Sequence, residues 1–251
     1  MEFERLKLPI MDAQMLFFLS RPHACSYLQG QVAASLVADP EAPHTPMLYG
    51  ELLEFGFRRS GEHVYAPRCP DCQACIPTRI PAADFAPSRS HRRCLKRNAD
   101  LRVNWVPARH TPEYFRLYRK YLSTRHPAGG MDDPTPQEFR DFLISDWCST
   151  EFMELRLDGR LVGVAVTDVL PRAFSAIYTF FDPELSQARS LGTFAILSQI
   201  EEASRRGLSQ LYLGYWIEAC DKMAYKSRFK PFEIYGSGGW QRLPSEDPLQ
   251  P

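Results

Sequence analysis

The stretch from Ser175 to Trp216, SAIYTFFDPELSQARSLGTFAILSQIEEASRRGLSQLYLGYW, decides the fold. Its first seven residues are mostly β-branched or aromatic and predict a strand that ends at Asp182-Pro183. The apolar spacing that follows predicts a helix from Leu191 to Gly207, and Leu211 to Trp216 predicts a second strand. A strand, a crossover helix and a second strand form a right-handed unit, so we expect the two strands to be parallel.

The turn Arg189-Ser190-Leu191-Gly192 lies at the predicted start of this helix. The first N–H groups of a helix have no partner within it, and the helix dipole adds partial positive charge there. We therefore expect this turn to bind an acidic group.

The overall composition is that of a globular protein with one large domain or two small ones in 251 residues. Thirty basic and thirty acidic residues cancel, so net charge predicts affinity neither for nucleic acid nor for membranes. Seven cysteines without an export signal predict reduced thiols or metal ligands. The apolar run Met15 to Leu19 is far shorter than the roughly 18 residues that span a bilayer. We expect a cytoplasmic protein with neither signal peptide nor membrane anchor.

Basic residues nevertheless cluster in two stretches, 86–102 and 222–230. Four members of the first would share one side of a helix, and aromatic residues in the second can stack on unpaired bases. These stretches predict an RNA surface, the alternative being a solvated charged face. The side chains assigned to it are Arg89, Arg92, Arg93, Lys96, Arg97, Arg228 and Lys230.

A cysteine motif, Cys69-Pro70-Asp71-Cys72-Gln73-Ala74-Cys75, stands between Pro67 and Pro77, and the prolines predict a loop. The spacing places three thiols within a few ångströms, and Cys25 is a candidate fourth. Four thiolates suit zinc or an iron–sulfur cluster. The alternative is a tight loop of small buried residues, so the spacing leaves a metal site open.

The segment Phe57 to Tyr65 predicts a hairpin that turns at Ser60-Gly61. Strand alternation places Arg58 and Arg59 on opposite faces. A guanidinium group matches a carboxylate with two parallel hydrogen bonds, so either arginine is a candidate for binding an acidic group. The alternative is a solvated edge strand.

The second half of the chain predicts helix, helix, strand, strand, strand, helix, strand. Helix starts are signalled at Thr111 and by a capping box at Thr135, and Asp158-Gly159 predicts a hairpin turn. This order is that of the GNAT acyltransferase fold. We predict an α+β protein in which a small cysteine-containing α+β domain (1–102) precedes a GNAT-like domain (103–251) with a mixed sheet and flanking helices. In GNAT enzymes a small residue stands where this chain has Phe194, which argues against a bound coenzyme A pyrophosphate.

Motifs across nearly the whole chain resemble one family, the arginyltransferase-related aminoacyl-tRNA-protein transferases, and within it the leucyl-transferring branch, whose chains are near 250 residues. The matching segments are Cys25–Leu28 (CSYL), Gly56–Gly61 (GFRRSG), Cys69–Arg79 (CPDCQACIPTR), Ser88–Asn98 (SRSHRRCLKRN), Tyr121–His126 (YLSTRH), Tyr178–Pro183 (YTFFDP), Arg189–Gly192 (RSLG), Leu213–Ile217 (LGYWI) and Lys222–Glu233 (KMAYKSRFKPFE).

The resemblance implies transfer of leucine from Leu-tRNA to the N-terminal amine of proteins that begin with Asp or Glu, which marks them for degradation through an N-degron pathway. It implies no cofactor for the transfer, and it carries a possible zinc or iron–sulfur site to Cys25, Cys69, Cys72 and Cys75. The catalytic candidates are Arg125, His126, Tyr178, Ser190 and Tyr215. The substrate-binding candidates are Arg58, Arg59, His63, Tyr65, Arg189, Gly192, Trp216, Lys222 and Lys226. The two basic stretches would hold tRNA.

Three alternatives remain open at this point. One is an arginyl-tRNA-protein transferase of the same family, since the donated amino acid depends on the shape of its pocket. Another is a coenzyme A dependent N-acetyltransferase, supported by the order of elements and opposed by Phe194. The third is a non-catalytic, metal-containing RNA-binding module.

Overall fold

The computed structural model of the protein describes residues 3–5, 15–125 and 133–244, and within them the chain is a mixed α+β fold. The strands of these residues, β1 to β15 in chain order, are Phe3–Arg5, Leu16–Leu19, His23–Ala24, Val32–Ala33, Ser35–Ala38, Arg58–Ser60, His63–Pro67, Ile76–Pro81, Arg102–Pro107, Thr150–Leu157, Arg160–Val169, Ala173–Phe181, Gln210–Trp216, Glu233–Gly236 and Gly239–Arg242. Their helices, α1 to α7, are Pro46–Glu54, Arg89–Arg97, Pro112–Arg125, Pro136–Leu143, Pro183–Arg189, Leu191–Arg205 and Asp221–Ala224, and a 3-10 turn, Tyr225–Arg228, follows α7.

The unit predicted from residues 175–216 is confirmed as β12, α6 and β13. The two strands pair in parallel, with Phe174 opposite Leu211 and Ser175 opposite Tyr212. Phe194 is buried in the core between α6 and the sheet. The bulky residue at this position therefore packs the helix onto the sheet.

This unit lies within an eight-stranded sheet whose order is β15-β14-β8-β13-β12-β11-β10-β9. β12 and β13 are the parallel pair of this sheet, and its other described pairings are antiparallel. β8 comes from the first half of the chain and pairs with β13 on one side and β14 on the other. The domain boundary at residues 102/103 stays a prediction, and the large sheet contains a strand from before it.

A second sheet, of order β1-β2-β5-β7-β6, is antiparallel and comes from the first 67 residues. Its core side packs with α1 into a cluster that includes Phe17, Leu52 and Phe57. Leu170 and Tyr212, near or within the large sheet, belong to the same cluster. The short hairpin of β3 and β4 stands apart from both sheets and carries Cys25 and Tyr27 in its loop.

Most local predictions are confirmed. The Thr135 capping box begins α4, and Asp158 and Gly159 make the turn between β10 and β11 at φ 49° and 82°. Residues Arg89–Arg97 of the first basic stretch form the helix α2. The segment after Asp182 was predicted only as a break, whereas it forms α5, which Asp182 caps through the Glu184 N–H. In the described part of the chain, none of the helices combines the length and apolar character needed to cross a membrane.

Candidate functional site

The site is built where β12 and β13 separate beyond Ser175 and Tyr212. Arg58 fills the gap, because its guanidinium donates to Ser175 Oγ at 3.0 Å and to the carbonyl oxygen of Ala176 on β12. Gly214 on β13 has φ +79°, and a Cβ there would lie 3.3 Å from Arg58 Nε. Glycine at this position therefore leaves room for the guanidinium between the two strands.

Lys226 approaches the same part of β13 from the 3-10 turn. Its Nζ donates to the carbonyl oxygen of Tyr215 at 2.6 Å, and the residue is only 7% exposed. Burial, and after it the nearby charge of Arg58, lower the pKa of Lys226 to about 7. Among the described residues no carboxylate forms an ion pair with Arg58 or Lys226, although the two buried side chains are close enough for the charge of Arg58 to lower the Lys226 pKa.

Hydroxyls and thiols surround these cations. Tyr27 is 44% exposed, yet its hydroxyl end is buried, and burial together with Tyr65, Cys75 and Cys220 raises its pKa to about 12. Burial also raises the pKa of the Cys75 thiol to about 11. These groups stay neutral near pH 7, so they offer hydrogen bonds to a substrate without adding charge.

Tyr178, on the far part of β12, stands in a ring of aromatic side chains. The rings of Tyr118, Tyr121 and Phe142 meet it edge-on, with centroids 6.2, 6.1 and 5.3 Å away. Burial and the neighbouring tyrosine hydroxyls raise the pKa of Tyr178. Its hydroxyl is therefore a proton donor at neutral pH and not a base. Arg125 lies over the ring of Phe181, 5.9 Å from the centroid, and the candidate His126 lies outside the described residues.

A cavity of about 310 Å³ opens at the start of α6. Ser190 has φ 54° and makes no side-chain cap, and Phe194 donates the first intrahelical bond, to Ser190. The helix therefore presents unpaired N–H groups beside the cavity. The lining includes Thr193, Arg93, Arg97 and Arg228, so the charge of the wall favours an anion.

Arg189 holds together the two helices beside this cavity. Its guanidinium pairs with both oxygens of Asp100, at 2.7 and 2.8 Å, and its carbonyl oxygen accepts from Asn98 of the α2 C-terminus at 2.8 Å. These bonds fasten α2 to the junction of α5 and α6. The exposed side chains of α2, which include Arg89, Arg92 and Lys96, form the basic surface next to the cavity.

Arg59 points away from Arg58, which confirms that the two side chains occupy opposite faces. It forms an ion pair with Asp168 through two bonds of 2.7 Å, and both side chains are fully buried. It also donates to the carbonyl oxygen of Gly61 at 2.7 Å, while Thr150 donates to Asp168 at 2.7 Å. Asp168 therefore occupies the place at which a substrate carboxylate would bind to Arg59.

The other substrate candidates occupy different places. His63 is exposed beside a separate cavity of about 680 Å³ near α4. The hydroxyl of Tyr215 is buried and donates to the carbonyl oxygens of Gly56 and Tyr65, at 3.1 and 3.3 Å. Trp216 donates to the Ala224 carbonyl oxygen at 3.2 Å. Gly192 lies in the first turn of α6, and Lys222 is exposed on α7, with Lys230 half-buried after the 3-10 turn.

The four candidate metal-ligating cysteines are gathered in one region. After burial, the largest contributions to the raised pKa of Cys75 come from Cys69, Cys25 and Cys72. The sulfur of Cys25 accepts the N–H groups of Tyr27 and Leu28, each at 3.4 Å. Within the described ranges, however, no three Cys, His, Asp or Glu side chains are placed to hold a metal ion. In this arrangement the thiols do not form a coordination shell.

Several residues of the site were not among the candidates. Tyr27 and Tyr121 lie in the family motifs Cys25–Leu28 and Tyr121–His126. The only sequence signal that could have identified them as site residues is an aromatic side chain close to Cys25 and to Arg125. Ser175, which fixes Arg58, and Asp168, which fixes Arg59, carry no local signal, because each lies inside a strand and its partner is more than 100 residues away.

Comparisons with known proteins give the family of this chain. The model of the arginine-tRNA-protein transferase C terminus matches residues 113–236, and that of the N terminus matches residues 23–93. Proteins named aspartate/glutamate leucyltransferase from Pseudomonas fluorescens (strain SBW25) and Pseudomonas aeruginosa (strain LESB58) are each 49% identical over 92% of this chain and 98% of their own. The structure of L-PGS from Bacillus licheniformis is 9% identical, with a TM-score of 0.43 over 67% of this chain and 50% of that one. The chain belongs to the arginine-tRNA-protein transferase family.

Proposed function

We propose that the protein transfers leucine from Leu-tRNA to the N-terminal α-amine of proteins that begin with Asp or Glu. Membership of the transferase family and the names of relatives that align along almost their whole length support this reaction. The acceptors would thereby enter an N-degron degradation pathway in the cytoplasm. We also propose that the C-terminal part is GNAT-like, supported by the parallel strands that diverge beside the start of α6.

The observation that carries the proposal is the basic cavity at the start of α6. Its volume of about 310 Å³, its free helical N–H groups and its arginines suit a phosphate and ribose of the tRNA 3′ end. Exposed arginines of α2 extend the same charge outward. Tyr225 lines the cavity and lies near Tyr121, which contributes to its raised pKa, and the ring of Tyr121 contacts that of Tyr178.

The reaction needs positioning more than strong base catalysis. An α-amine has a pKa of about 7.7–8.0, so a usable fraction is the free nucleophile near neutral pH. The nitrogen attacks the ester carbonyl carbon, a C–N bond forms, the C–O bond to the tRNA ribose breaks, and the leaving hydroxyl takes up a proton. Tyr178, which is protonated at this pH, would donate a hydrogen bond to the developing oxyanion. The aromatic rings around it match the apolar leucyl side chain.

The test is incubation of the protein with tRNA charged separately with Leu, Arg or Phe, and with peptides that begin with Asp, Glu, Arg or Ala. Mass spectrometry of the peptides should show added leucine on the Asp and Glu peptides alone. Addition of arginine would assign the chain to arginyl transfer. No transfer, together with a clear thermal stabilisation by acetyl coenzyme A, would favour an N-acetyltransferase.

A further inference from the structure

Among the described residues, the site buries an arginine and a lysine with no carboxylate paired to either. Arg58 and Lys226 are 6% and 7% exposed, and their functional groups contact main-chain carbonyl oxygens of Ala176 and Tyr215, at the edges of the same gap. Burying a charge is costly unless an opposite charge accompanies it. The second arginine of the hairpin, Arg59, has such a partner in Asp168. The contrast indicates that the partner of Arg58 and Lys226 is supplied by a ligand.

We infer that Arg58 and Lys226 together form the subsite that binds the side-chain carboxylate of the acceptor's first residue. The guanidinium holds its place through Ser175 Oγ and Ala176 on β12, and the ammonium group reaches Tyr215 on β13 from the 3-10 turn. Tyr65 lies near Arg58 and, with its pKa raised by burial, adds no negative charge there. The inference rests on the proposed function.

The position favours a small carboxylate over a phosphate of tRNA. The phosphate-binding features, which are exposed arginines and free helical N–H groups, lie at α2 and the start of α6. Arg58 and Lys226 lie instead in the gap between β12 and β13, with less than a tenth of their surface exposed. The carboxylate of an Asp or Glu side chain is small enough to bind buried hydrogen-bond donors, whereas a ribose–phosphate backbone requires an open surface.

The experiment compares acceptor peptides that begin with Asp and with Asn, which differ by a charge but hardly in size. Transfer and peptide binding are measured for the wild-type protein, Arg58→Lys, Lys226→Met and the exposed control Arg116→Met. We expect Arg58→Lys and Lys226→Met each to reduce the Asp-over-Asn preference in kcat/KM by about 30-fold or more, since the first removes the paired N–H donors of the guanidinium and the second removes a charged hydrogen-bond donor. Binding of Leu-tRNA should stay within twofold of wild type in all three variants.

Thermal unfolding separates this role from a structural one. Since Lys226 is buried without an acid, Lys226→Met should unfold at the same temperature as the wild type or higher while losing acceptor preference. A variant that keeps the wild-type Asp-over-Asn ratio overturns the inference, as does a loss of Leu-tRNA binding with that ratio intact, which would assign the cations to a phosphate. If the wild-type protein transfers no leucine to any peptide, the proposed function fails, and peptide binding alone still tests the subsite.

Discussion

Replacing Arg59 with Met tests whether its ion pair with Asp168 stabilises the fold. Both side chains are fully buried, and the variant would leave the Asp168 carboxylate with neutral side-chain partners, the Thr150 hydroxyl and the Cys148 thiol. Removal of one partner of a buried pair costs about 3–5 kcal/mol. For a chain of this size, about 4 kcal/mol lowers the melting temperature by roughly 10 °C.

The decisive comparison is the double variant Arg59→Met/Asp168→Leu. Apolar side chains of similar volume often replace a buried ion pair without loss, so the double variant should recover at least about 2 kcal/mol relative to Arg59→Met. The assay is urea unfolding followed by circular dichroism and by tryptophan fluorescence, whose transitions must coincide for the free energies to be used. The control is Arg119→Met, whose partner Asp133 and own side chain are 85% and 56% exposed, and it should cost less than about 1 kcal/mol.

The reasoning is refuted if Arg59→Met lowers the free energy of unfolding by less than about 1 kcal/mol. It is also refuted if the double variant loses as much stability as the single variants Arg59→Met and Asp168→Leu summed. Leucine transfer is measured in parallel, well below the melting temperature. Because the Arg59 guanidinium is already paired with Asp168, it is not available to an acceptor carboxylate. The folded Arg59→Met protein should therefore keep its preference for Asp over Asn.

Three further predictions concern the site. Gly214→Ala should lower kcat/KM for an Asp-initiated peptide at least tenfold and leave Leu-tRNA binding unchanged. The reason is that φ +79° is strained for alanine and that its Cβ would meet Arg58. A wild-type kcat/KM in steady-state kinetics would contradict this. Arg93→Gln and Arg97→Gln should each weaken tRNA binding and reduce the slope of log K against log salt by about 1, as measured by titration at several salt concentrations; an unchanged slope excludes a phosphate contact. Lys226 has a pKa lowered to about 7 and faces Arg58, Cys75 and Cys220, so its charge is present below pH 7 and lost above it. The acceptor KM should therefore rise above pH 7 while kcat rises with deprotonation of the α-amine, and Lys226→Met should flatten the KM profile.

Local patterns were sufficient for the elements that organise the fold. β12, α6 and β13 follow from β-branched and aromatic runs, apolar helical spacing and a terminating glycine, and their parallel pairing follows from the handedness of crossovers. The capping box at Thr135 and the Asp158-Gly159 turn are equally local. Each signal lies within the residues that it describes, which is why sequence alone predicts it.

The site itself depended on contacts between distant residues. The hairpin predicted that Arg58 and Arg59 face opposite ways, but the identity of their partners is set by Ser175 and Asp168, more than 100 residues away. Lys226 stands in a basic stretch that reads as a solvated surface, yet the 3-10 turn directs it into the protein interior. Tertiary contacts decide which charged side chains are buried and which are paired. The spacing of residues in the sequence does not predict these contacts.

The position of β8 has a consequence for how the chain reaches its native state. Residues 76–81 leave the ribosome long before Gln210–Trp216 and Glu233–Gly236, the two strands between which β8 is hydrogen-bonded. Until those strands are synthesised, β8 lacks both neighbours, and pairings of such long sequence separation form late. Separate expression of residues 1–102 and 103–244 would leave an unpaired strand in one fragment and a gap in the sheet of the other. We expect the pieces to recover activity only when they are produced together.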